Sequence, residues 1–299
     1  MRIGFHTDAF NSAVFSFEKC LEWAERNDVH AIECGVIDGV AWIHGLGYFP
    51  HVSLLEDPVR LREKMERRGV RFSQVDAAYP LSGRDGPLYG VPYVLKTIPW
   101  AKLAGCPSVA TTDGLHKPEG LSEAEALEAM KRSYGLIVET AEAYGIDITI
   151  EIHGYFTTKP EFIERMLEFA RSDRLGLNFD TGNAFIAGED PVAFCRRFLA
   201  RVKHVHVKDV AKGLAEQSRG KETGIGISHA AIGDGVNAGN IQKILAMLRD
   251  AGYNGTLSLE CEGQGGPLIE RSLTWLRGTL RALGIPEERF SPGAQGGST

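Results

Sequence analysis

Four consecutive predicted strands in the second half of the chain end on side chains that bind divalent metals in proteins. Glu151 ends the fifth strand, Asp180 the sixth, His206 lies near the end of the seventh, and Glu260 ends the eighth. Any one of these would ordinarily be a surface charge, a helix cap or a core histidine. Four in succession indicate a site, because neighbouring parallel strands bring their carboxyl ends to one rim.

A divalent cation is the simplest way to keep three neighbouring carboxylates ionised, since without it they would repel strongly. One imidazole with carboxylate oxygens suits Mn²⁺, Mg²⁺ or Co²⁺, and Zn²⁺ can also use such ligands. We therefore expect one divalent metal, with Mn²⁺ favoured, at this rim. His204 faces the same side of its strand as His206. We expect His206, which is nearer the rim, to be the ligand, and His204 to lie deeper.

The elements that must position these residues alternate strictly between short apolar runs rich in β-formers and stretches with helical periodicity. Eight of each follow one another between Arg2 and Leu283, with no break in composition. Strict alternation implies a parallel sheet with helices outside it, and eight units favour a closed barrel. The sequence thus predicts the α/β class and a single (β/α)8 TIM barrel over residues 1–284. Residues 285–299 are expected to form a flexible tail.

Two predicted connections are longer than a barrel requires, and both follow strands on the side where such barrels build their sites. Residues 37–57 carry Trp42, which could form an apolar wall against a bound substrate. Residues 210–236 carry Arg219, which could reach a substrate or could simply be a solvated charge. Long loops at this end are either functional lids or surface decoration, and function is the more frequent case.

The overall composition excludes several classes of protein. The chain has 299 residues, of which 43% are hydrophobic and 24% charged, as in ordinary globular domains. A balance of 33 basic against 39 acidic residues, a net charge of −6, argues against a nucleic-acid partner. No apolar stretch reaches the roughly 18 residues of a membrane span, and the amino terminus lacks a signal-peptide core. The five scattered cysteines, without a CxxC pair, predict reduced thiols and a cytoplasmic location.

The strand-end segments resemble the xylose-isomerase-like TIM-barrel superfamily, and within it the sugar isomerase/epimerase branch that includes the ketose 3-epimerases. The likeness covers roughly residues 1–283, and its motifs are specific for the superfamily but weak for a substrate. The segments that carry it are Glu151-Ile152-His153-Gly154, Asn178-Phe179-Asp180-Thr181-Gly182-Asn183, His204-Val205-His206-Val207-Lys208-Asp209 and Leu257-Ser258-Leu259-Glu260.

This resemblance implies a metal-dependent isomerase or epimerase that transfers a proton next to a carbonyl through an enediolate. The metal would be held by Glu151, Asp180, His206 and Glu260, and would polarise the carbonyl. By analogy with the 3-epimerases, Glu151 and Glu260 would also be the acid/base pair, one on each face of a ketose. The implied partner is a small sugar or sugar derivative, and relatives that form dimers or tetramers suggest a homo-oligomer.

Two positions near these motifs depart from the 3-epimerases. Asn183 stands where those enzymes have a substrate-contacting His; it can still hydrogen-bond a hydroxyl group, but it is a poor ligand for a second metal. His153 follows Glu151 by two residues and is either an added general base or a loop histidine. His6 and Glu33, at the ends of the first two strands, are expected at the rim, where His6 could contact substrate.

These departures leave other functions open. If His153 is a base, a metal-dependent lyase or dehydratase becomes the alternative, acting on a keto-sugar, a 3-keto-glycoside or a keto-inositol. A barrel that binds a sugar without turning it over is a second alternative. The intact set of three acidic residues and one histidine argues against it, because a binding protein needs no paired bases.

Overall fold

Eight parallel strands close into a barrel in the computed structural model, which describes residues 1–10, 16–37, 52–221, 223–261 and 266–290. Strand β1 (Arg2–His6) pairs with both β2 (Ala31–Ile37) and β8 (Thr256–Leu259), and this double pairing closes the sheet. The predicted single (β/α)8 TIM barrel is therefore confirmed. The other strands are β3 (Arg71–Pro80), β4 (Ser108–Thr112), β5 (Asp147–Glu151), β6 (Leu175–Asp180) and β7 (Val202–Val207).

In the part of the chain that the structure describes, eight main helices surround the barrel and cover the apolar outer face of its strands. Among the described residues, none of the helices combines the length and apolarity needed to cross a bilayer. The main helices are α1 (Phe17–Arg26), α2 (Pro58–Arg67), α3 (Val91–Leu103), α4 (Glu123–Tyr144), α5 (Pro160–Leu167), α6 (Pro191–Phe198), α7 (Ala238–Asp250) and α8 (Pro267–Ala282).

Local sequence signals set the ends of these helices. The Ser122 hydroxyl accepts a hydrogen bond from the Glu125 backbone N–H, and the Glu125 carboxylate accepts one from the Ser122 backbone N–H. A serine followed three residues later by a glutamate predicts such a capping box from the sequence, and the structure confirms it. Gly145 ends the same helix with φ of 66°, a left-handed conformation that favours glycine.

Additional short elements appear at the carboxyl ends of three strands. A two-residue strand, Val52–Ser53, pairs with the end of β2, and short helices Thr181–Ile186 and Lys212–Ser218 follow β6 and β7. The sequence pattern predicts that the second strand ends at Cys34, but β2 continues to Ile37. Backbone pairing with β3 extends it through Gly35, a residue that breaks a sequence pattern but still offers its N–H and C=O.

The beginning of the predicted tail packs on the amino-terminal end of the barrel. Ile285 is buried, the Met1 amino group donates to the Pro286 carbonyl at 3.1 Å, and the Glu288 N–H donates to the Met1 carbonyl at 2.8 Å. Residues 291–299 lie outside the described residues, so flexibility there stays a prediction.

Candidate active site

The four predicted metal ligands lie together at the carboxyl end of the barrel. Glu151, Asp180, His206 and Glu260 each offer one ligand atom, and these atoms all lie within 4.8 Å of one another. Nδ1 of His206 is 3.1 Å from Glu260 Oε2, 3.4 Å from Glu151 Oε1 and 3.8 Å from Asp180 Oδ2. The barrel thus brings the carboxylates of three strand ends around one nitrogen of one imidazole.

Two carboxylate oxygens of this cluster lack hydrogen-bond donors. Asp180 Oδ2 and Glu260 Oε2 are buried and accept no hydrogen bond from the described residues. Burial and the neighbouring Glu260 carboxylate raise the pKa of Asp180 to about 7. Buried carboxylates without donors are costly unless a cation compensates them. Three carboxylates and one imidazole with such unmet oxygens fit a divalent metal.

Asp180 is held in place by the short helix that follows it. Its Oδ1 accepts hydrogen bonds from the backbone N–H groups of Gly182 at 2.7 Å and Asn183 at 2.8 Å, and so caps that helix. The cap leaves Oδ2 facing His206. Gly182 is needed in this turn, because a Cβ there would lie 2.6 Å from the side chain of Lys208.

Glu151, which is half-buried, and the buried His153 form a pair at the end of β5. His153 Nδ1 is 3.3 Å from Glu151 Oε2, and its Nε2 is 2.6 Å from the Thr112 hydroxyl. Burial alone would raise the pKa of Glu151, but the charges of His153 and His206 outweigh it and lower this pKa to about 2. His153 is only 5% exposed, so it belongs to the interior of the site. Its role as a base stays a prediction.

Glu260 directly follows β8 and lies beside a buried lysine. Lys208 Nζ is 3.8 Å from Glu260 Oε1, and Lys208 is 1% exposed. Burial would raise the pKa of Glu260, but the charges of Lys208 and His206 outweigh it and hold that pKa well below its usual range. The carboxylate is therefore ionised, which is the form that binds a cation or accepts a proton.

A layer of polar side chains lies below the cluster, inside the barrel. Glu33 Oε2 is 2.8 Å from His206 Nε2, and Glu33 is fully buried. The expectation that Glu33 lies at the rim is wrong, because β2 continues beyond it to Ile37. His204 contacts Asn178 in the same layer, and burial lowers its pKa to about 4.

His6 lies beside the cluster, between two carboxylates that the sequence did not single out. Its Nε2 is 2.5 Å from Asp76 Oδ2 and its Nδ1 is 3.0 Å from Asp8 Oδ1, while its ring centre is 5.7 Å from that of His206. Both carboxylate oxygens of Asp8 and the Asn183 side-chain oxygen are buried and accept no hydrogen bond from the described residues. Hydroxyl groups of a ligand could satisfy such acceptors.

The two other predicted substrate contacts are not part of this cluster as described. Arg219 donates to the carbonyls of Phe185 at 3.1 Å, Gly188 at 3.3 Å and Glu189 at 3.2 Å, and its guanidinium lies 3.9 Å from the Phe185 ring centre. These contacts tie its loop to the end of a neighbouring short helix. Trp42 lies outside the described residues. A substrate role for either residue stays a prediction.

Comparison with known proteins identifies the family. A family model described as a xylose isomerase-like TIM barrel matches residues 21–279. This chain belongs to that family. The resemblance that the strand-end motifs predicted is thereby confirmed.

The proteins that this chain resembles include a dehydratase and an epimerase-like protein. An inosose dehydratase of Bacillus cereus (strain AH820) is 24% identical over 220 residues, which are 71% of this chain and 64% of that protein. The chain thus spans less than two thirds of this relative's length. A D-tagatose 3-epimerase-like protein superposes with a TM-score of 0.74 at 21% identity, covering 95% of this chain and 98% of that one. An IolI protein crystallised with a zinc atom gives 0.72 at 15% identity, covering 95% and 98%.

Sequence reasoning missed several residues of the site, and one of them carried a usable signal. Asp76 stands at the predicted end of the third strand, as Glu151 does at the end of the fifth. Glu33 near the end of the preceding strand is also acidic, so two neighbouring strand ends with carboxylates are the signal that points to Asp76. Asp8 and Gln74 carried no such signal, since their roles depend on which strands pair.

Proposed function

We propose that this chain is a divalent-metal-dependent enzyme that removes a proton beside the carbonyl of a small sugar or sugar derivative. In the simplest outcome, loss of the proton gives an enediolate, and a proton is then returned to this intermediate. The enzyme is in that case an isomerase or epimerase. The observation that carries the proposal is the convergence of Glu151, Asp180, Glu260 and His206 Nδ1, with two buried carboxylate oxygens that no described residue satisfies. We propose Mn²⁺ as the ion, ahead of Mg²⁺, Co²⁺ and Zn²⁺.

These four residues would hold the metal, which when bound supplies charge to polarise the carbonyl and stabilise the developing oxyanion. Glu151 and Glu260 act as the bases. His153 beside Glu151, and Lys208 beside Glu260, keep both carboxylates ionised. Bases on opposite faces of a ketose give epimerisation, whereas one base that moves a proton between adjacent carbons gives aldose–ketose isomerisation.

Substrate hydroxyl groups have several acceptors beside this cluster. The Asn183 side-chain oxygen and the carboxylate of Asp8 are buried without donors among the described residues, and His6 lies between Asp8 and Asp76. We propose that His6 and Asn183 contact the substrate, with Arg219 and Trp42 as further contacts from the long loops.

A dehydratase acting on a keto-sugar or keto-inositol is the second candidate. Elimination needs a base for the proton and a proton donor for the departing hydroxyl. His153, hydrogen-bonded between Thr112 and Glu151, places a second proton-carrying group beside one of the proposed bases. The similarity to an inosose dehydratase supports the dehydratase as a candidate. A 3-keto-glycoside lyase would need the same two groups, a base and a proton donor.

The cysteines support an intracellular setting for this enzyme. All five are buried, and none forms a disulfide. We propose a cytoplasmic location on that basis, because persistent free thiols are typical of reducing compartments. We also propose a homo-oligomer, and small-molecule rather than nucleic-acid partners in view of the acidic net charge.

Metal analysis followed by incubation of the protein with ketoses in heavy water tests the proposal. Deuterium at the carbon beside the carbonyl, with the carbon skeleton kept, supports isomerisation or epimerisation. Loss of water or of an aglycone supports the dehydratase or lyase. A protein that binds no metal and exchanges no proton across a broad panel of ketoses and keto-inositols would contradict both, and would favour a sugar-binding barrel.

Replacing either proposed base should remove the exchange reaction. Glu151→Gln and Glu260→Gln keep the size of the side chain but cannot accept the proton, so we expect each to slow exchange by at least about 10²-fold. Glu128→Gln is the control, because Glu128 is an exposed residue of α4 paired with Arg132. A Glu260→Gln enzyme that keeps full activity would rule out the scheme with two bases.

A further inference from the structure

Glu33 and Gln74 form a fully buried pair directly below His206. Glu33 Oε2 is 2.8 Å from His206 Nε2, and Glu33 Oε1 accepts a hydrogen bond from the Gln74 amide at 2.6 Å. The Gln74 side-chain oxygen in turn accepts hydrogen bonds from the hydroxyls of Ser108 at 3.0 Å and Thr149 at 2.7 Å. Each oxygen of the pair therefore has a defined donor.

The chemistry of a carboxylate decides where the proton of this contact lies. An ionised carboxylate only accepts hydrogen bonds, so both groups that face Glu33 must donate to it. A neutral His206 in contact with Glu33 therefore carries its proton on Nε2. Its Nδ1 is then the nitrogen with a free electron pair, and it is Nδ1 that lies among the carboxylates of Glu151, Asp180 and Glu260.

We propose that Glu33 is a positioning residue that selects the Nε2–H form of His206 and so makes Nδ1 the metal-binding atom. The inference rests on the metal centre of the proposed function, but not on the identity of the substrate. Contacts of this kind, one step behind a metal ligand, change metal affinity by about 10- to 100-fold when they are altered.

Asn178 contacts both histidines of β7. One orientation of its side-chain amide is compatible with a proton on Nε2 of His206. The structure places its amide nitrogen 3.0 Å from His206 Nε2 and its amide oxygen 3.1 Å from His204 Nδ1. A half-turn exchanges the amide oxygen and nitrogen without moving the group. With the oxygen toward His206, the amide N–H donates to His204 Nδ1, and His204 Nε2 donates to the Ser73 hydroxyl at 3.3 Å. The opposite orientation would aim an N–H at a nitrogen that already carries a proton.

Glu33→Gln is the first variant of the test, because it keeps the volume and removes one acceptor. A glutamine at position 33 has one oxygen for two donors, the Gln74 amide and His206 Nε2. If its amide turns toward His206, Nε2 becomes an acceptor and the proton moves to Nδ1, on the metal side. We expect the affinity for Mn²⁺ to fall by about 10- to 100-fold, with a changed optical spectrum of the Co²⁺-loaded protein.

Exchanging the two residues should restore the metal site. In the double variant Glu33→Gln, Gln74→Glu, the amide at position 33 donates to the carboxylate at position 74, and its oxygen accepts from His206 Nε2. The carboxylate at position 74 still accepts from Ser108 and Thr149. Every hydrogen bond keeps its direction at His206, so we expect the double variant to recover most of the lost affinity and the Co²⁺ spectrum of the unaltered protein.

Thr149→Val is the matched control within the same buried layer. It removes one donor to Gln74 and leaves the contact between Glu33 and His206 as it is. We expect a lower free energy of unfolding with Mn²⁺ affinity close to that of the unaltered protein. A general loosening of the interior would instead lower the metal affinity of this control and of Glu33→Gln alike, and would overturn the proposed role of Glu33.

The nitrogen signals of His206 give a readout that needs neither substrate nor turnover. In the Zn²⁺-loaded protein, ¹⁵N NMR should show a proton on Nε2 and the metal on Nδ1. Metal on Nε2, or Glu33→Gln with unchanged affinity and spectrum, would overturn the inference. If Glu33→Gln does not fold, the double variant decides, since it must bind metal through Nδ1. A protein that passes these tests but turns over no ketose contradicts the proposed function alone.

Discussion

At the scale of single residues, the candidate site is a set of carboxylates that differ in how their charge is compensated. Glu151 has His153 beside it, and Glu260 has Lys208. Asp180 is different: its pKa is raised to about 7 by burial and by the Glu260 carboxylate, and its Oδ2 accepts no hydrogen bond from the described residues. Of these three acidic residues, Asp180 therefore depends most on a bound cation.

Asp180→Asn should separate metal binding from helix capping. The asparagine oxygen still accepts from the N–H groups of Gly182 and Asn183, so the short helix keeps its cap. The lost charge should lower Mn²⁺ affinity by at least about tenfold, roughly 1.4 kcal/mol. Isothermal titration with Mn²⁺ and thermal unfolding in EDTA measure the two properties separately.

Asp190→Asn is the control for that experiment, because Asp190 caps α6 with the same geometry at an exposed position. It should change neither Mn²⁺ affinity nor the rise in unfolding temperature on adding Mn²⁺. Equal metal affinity in Asp180→Asn and the unaltered protein would show that Asp180 is not a ligand.

At the scale of elements, one buried carboxylate holds the last residues of the long connection after β7. Asp209 is buried and accepts hydrogen bonds from the backbone N–H groups of Gly233, Gly235 and Asn237, each at 2.9 Å. Its backbone neighbour is Lys208, which contacts Glu260. The end of this connection is therefore attached next to the lysine that lies beside one of the proposed bases.

Asp209→Ala should release the end of this connection while leaving the metal ligands on their strands. Four backbone N–H groups, that of Val210 included, lose their acceptor, at about 1–3 kcal/mol for each one that stays buried. We expect faster hydrogen exchange in residues 231–237, measured by mass spectrometry. We also expect a lower unfolding temperature, measured by calorimetry. In contrast, Asp234→Ala removes an exposed ion pair with Arg271 and should change little. Unchanged exchange in Asp209→Ala would refute the anchoring role.

At the scale of the whole molecule, the first and last units of the barrel are joined by Arg277 of α8. Its guanidinium donates to the carbonyls of Asn27 at 2.9 Å and Asp28 at 2.8 Å, and binds both carboxylate oxygens of Glu287. These bonds reinforce the pairing of β1 with β8 from outside the sheet. A bidentate contact between a guanidinium and a carboxylate is stronger than a neutral hydrogen bond.

Arg277→Ala should weaken closure of the barrel without affecting the candidate active site at its other end. We expect the free energy of unfolding to fall by about 2 kcal/mol, as for lost hydrogen bonds to charged groups. Urea unfolding measures this loss, and Mn²⁺ affinity should stay unchanged. Arg132→Ala, which removes an exposed pair with Glu128, should cost less than about 0.5 kcal/mol. Equal losses in the two variants would contradict the closing role of Arg277.

The four clustered residues could be predicted from sequence because strand order in a (β/α)8 barrel follows chain order. Once Glu151, Asp180, His206 and Glu260 are placed at consecutive strand ends, closure of the sheet brings them together. Glu33 could not be placed in the same way. The apolar run of β2 ends before the strand does, so the pattern put Glu33 at the rim when it lies below it.

The sequence by itself determined the barrel and the kinds of ligand atom at its rim, because alternation of elements and residue type are local properties of the chain. Only the tertiary structure decided how the ligands are oriented. The pairing of β2 with β3 shifts register between Ile32 and Glu33, which sets Glu33 opposite Gln74. A similar shift at Asn178 sets Asp180 opposite His206. Register depends on contacts between distant segments, and for that reason the nitrogen of His206 that faces the carboxylates could not be read from the sequence.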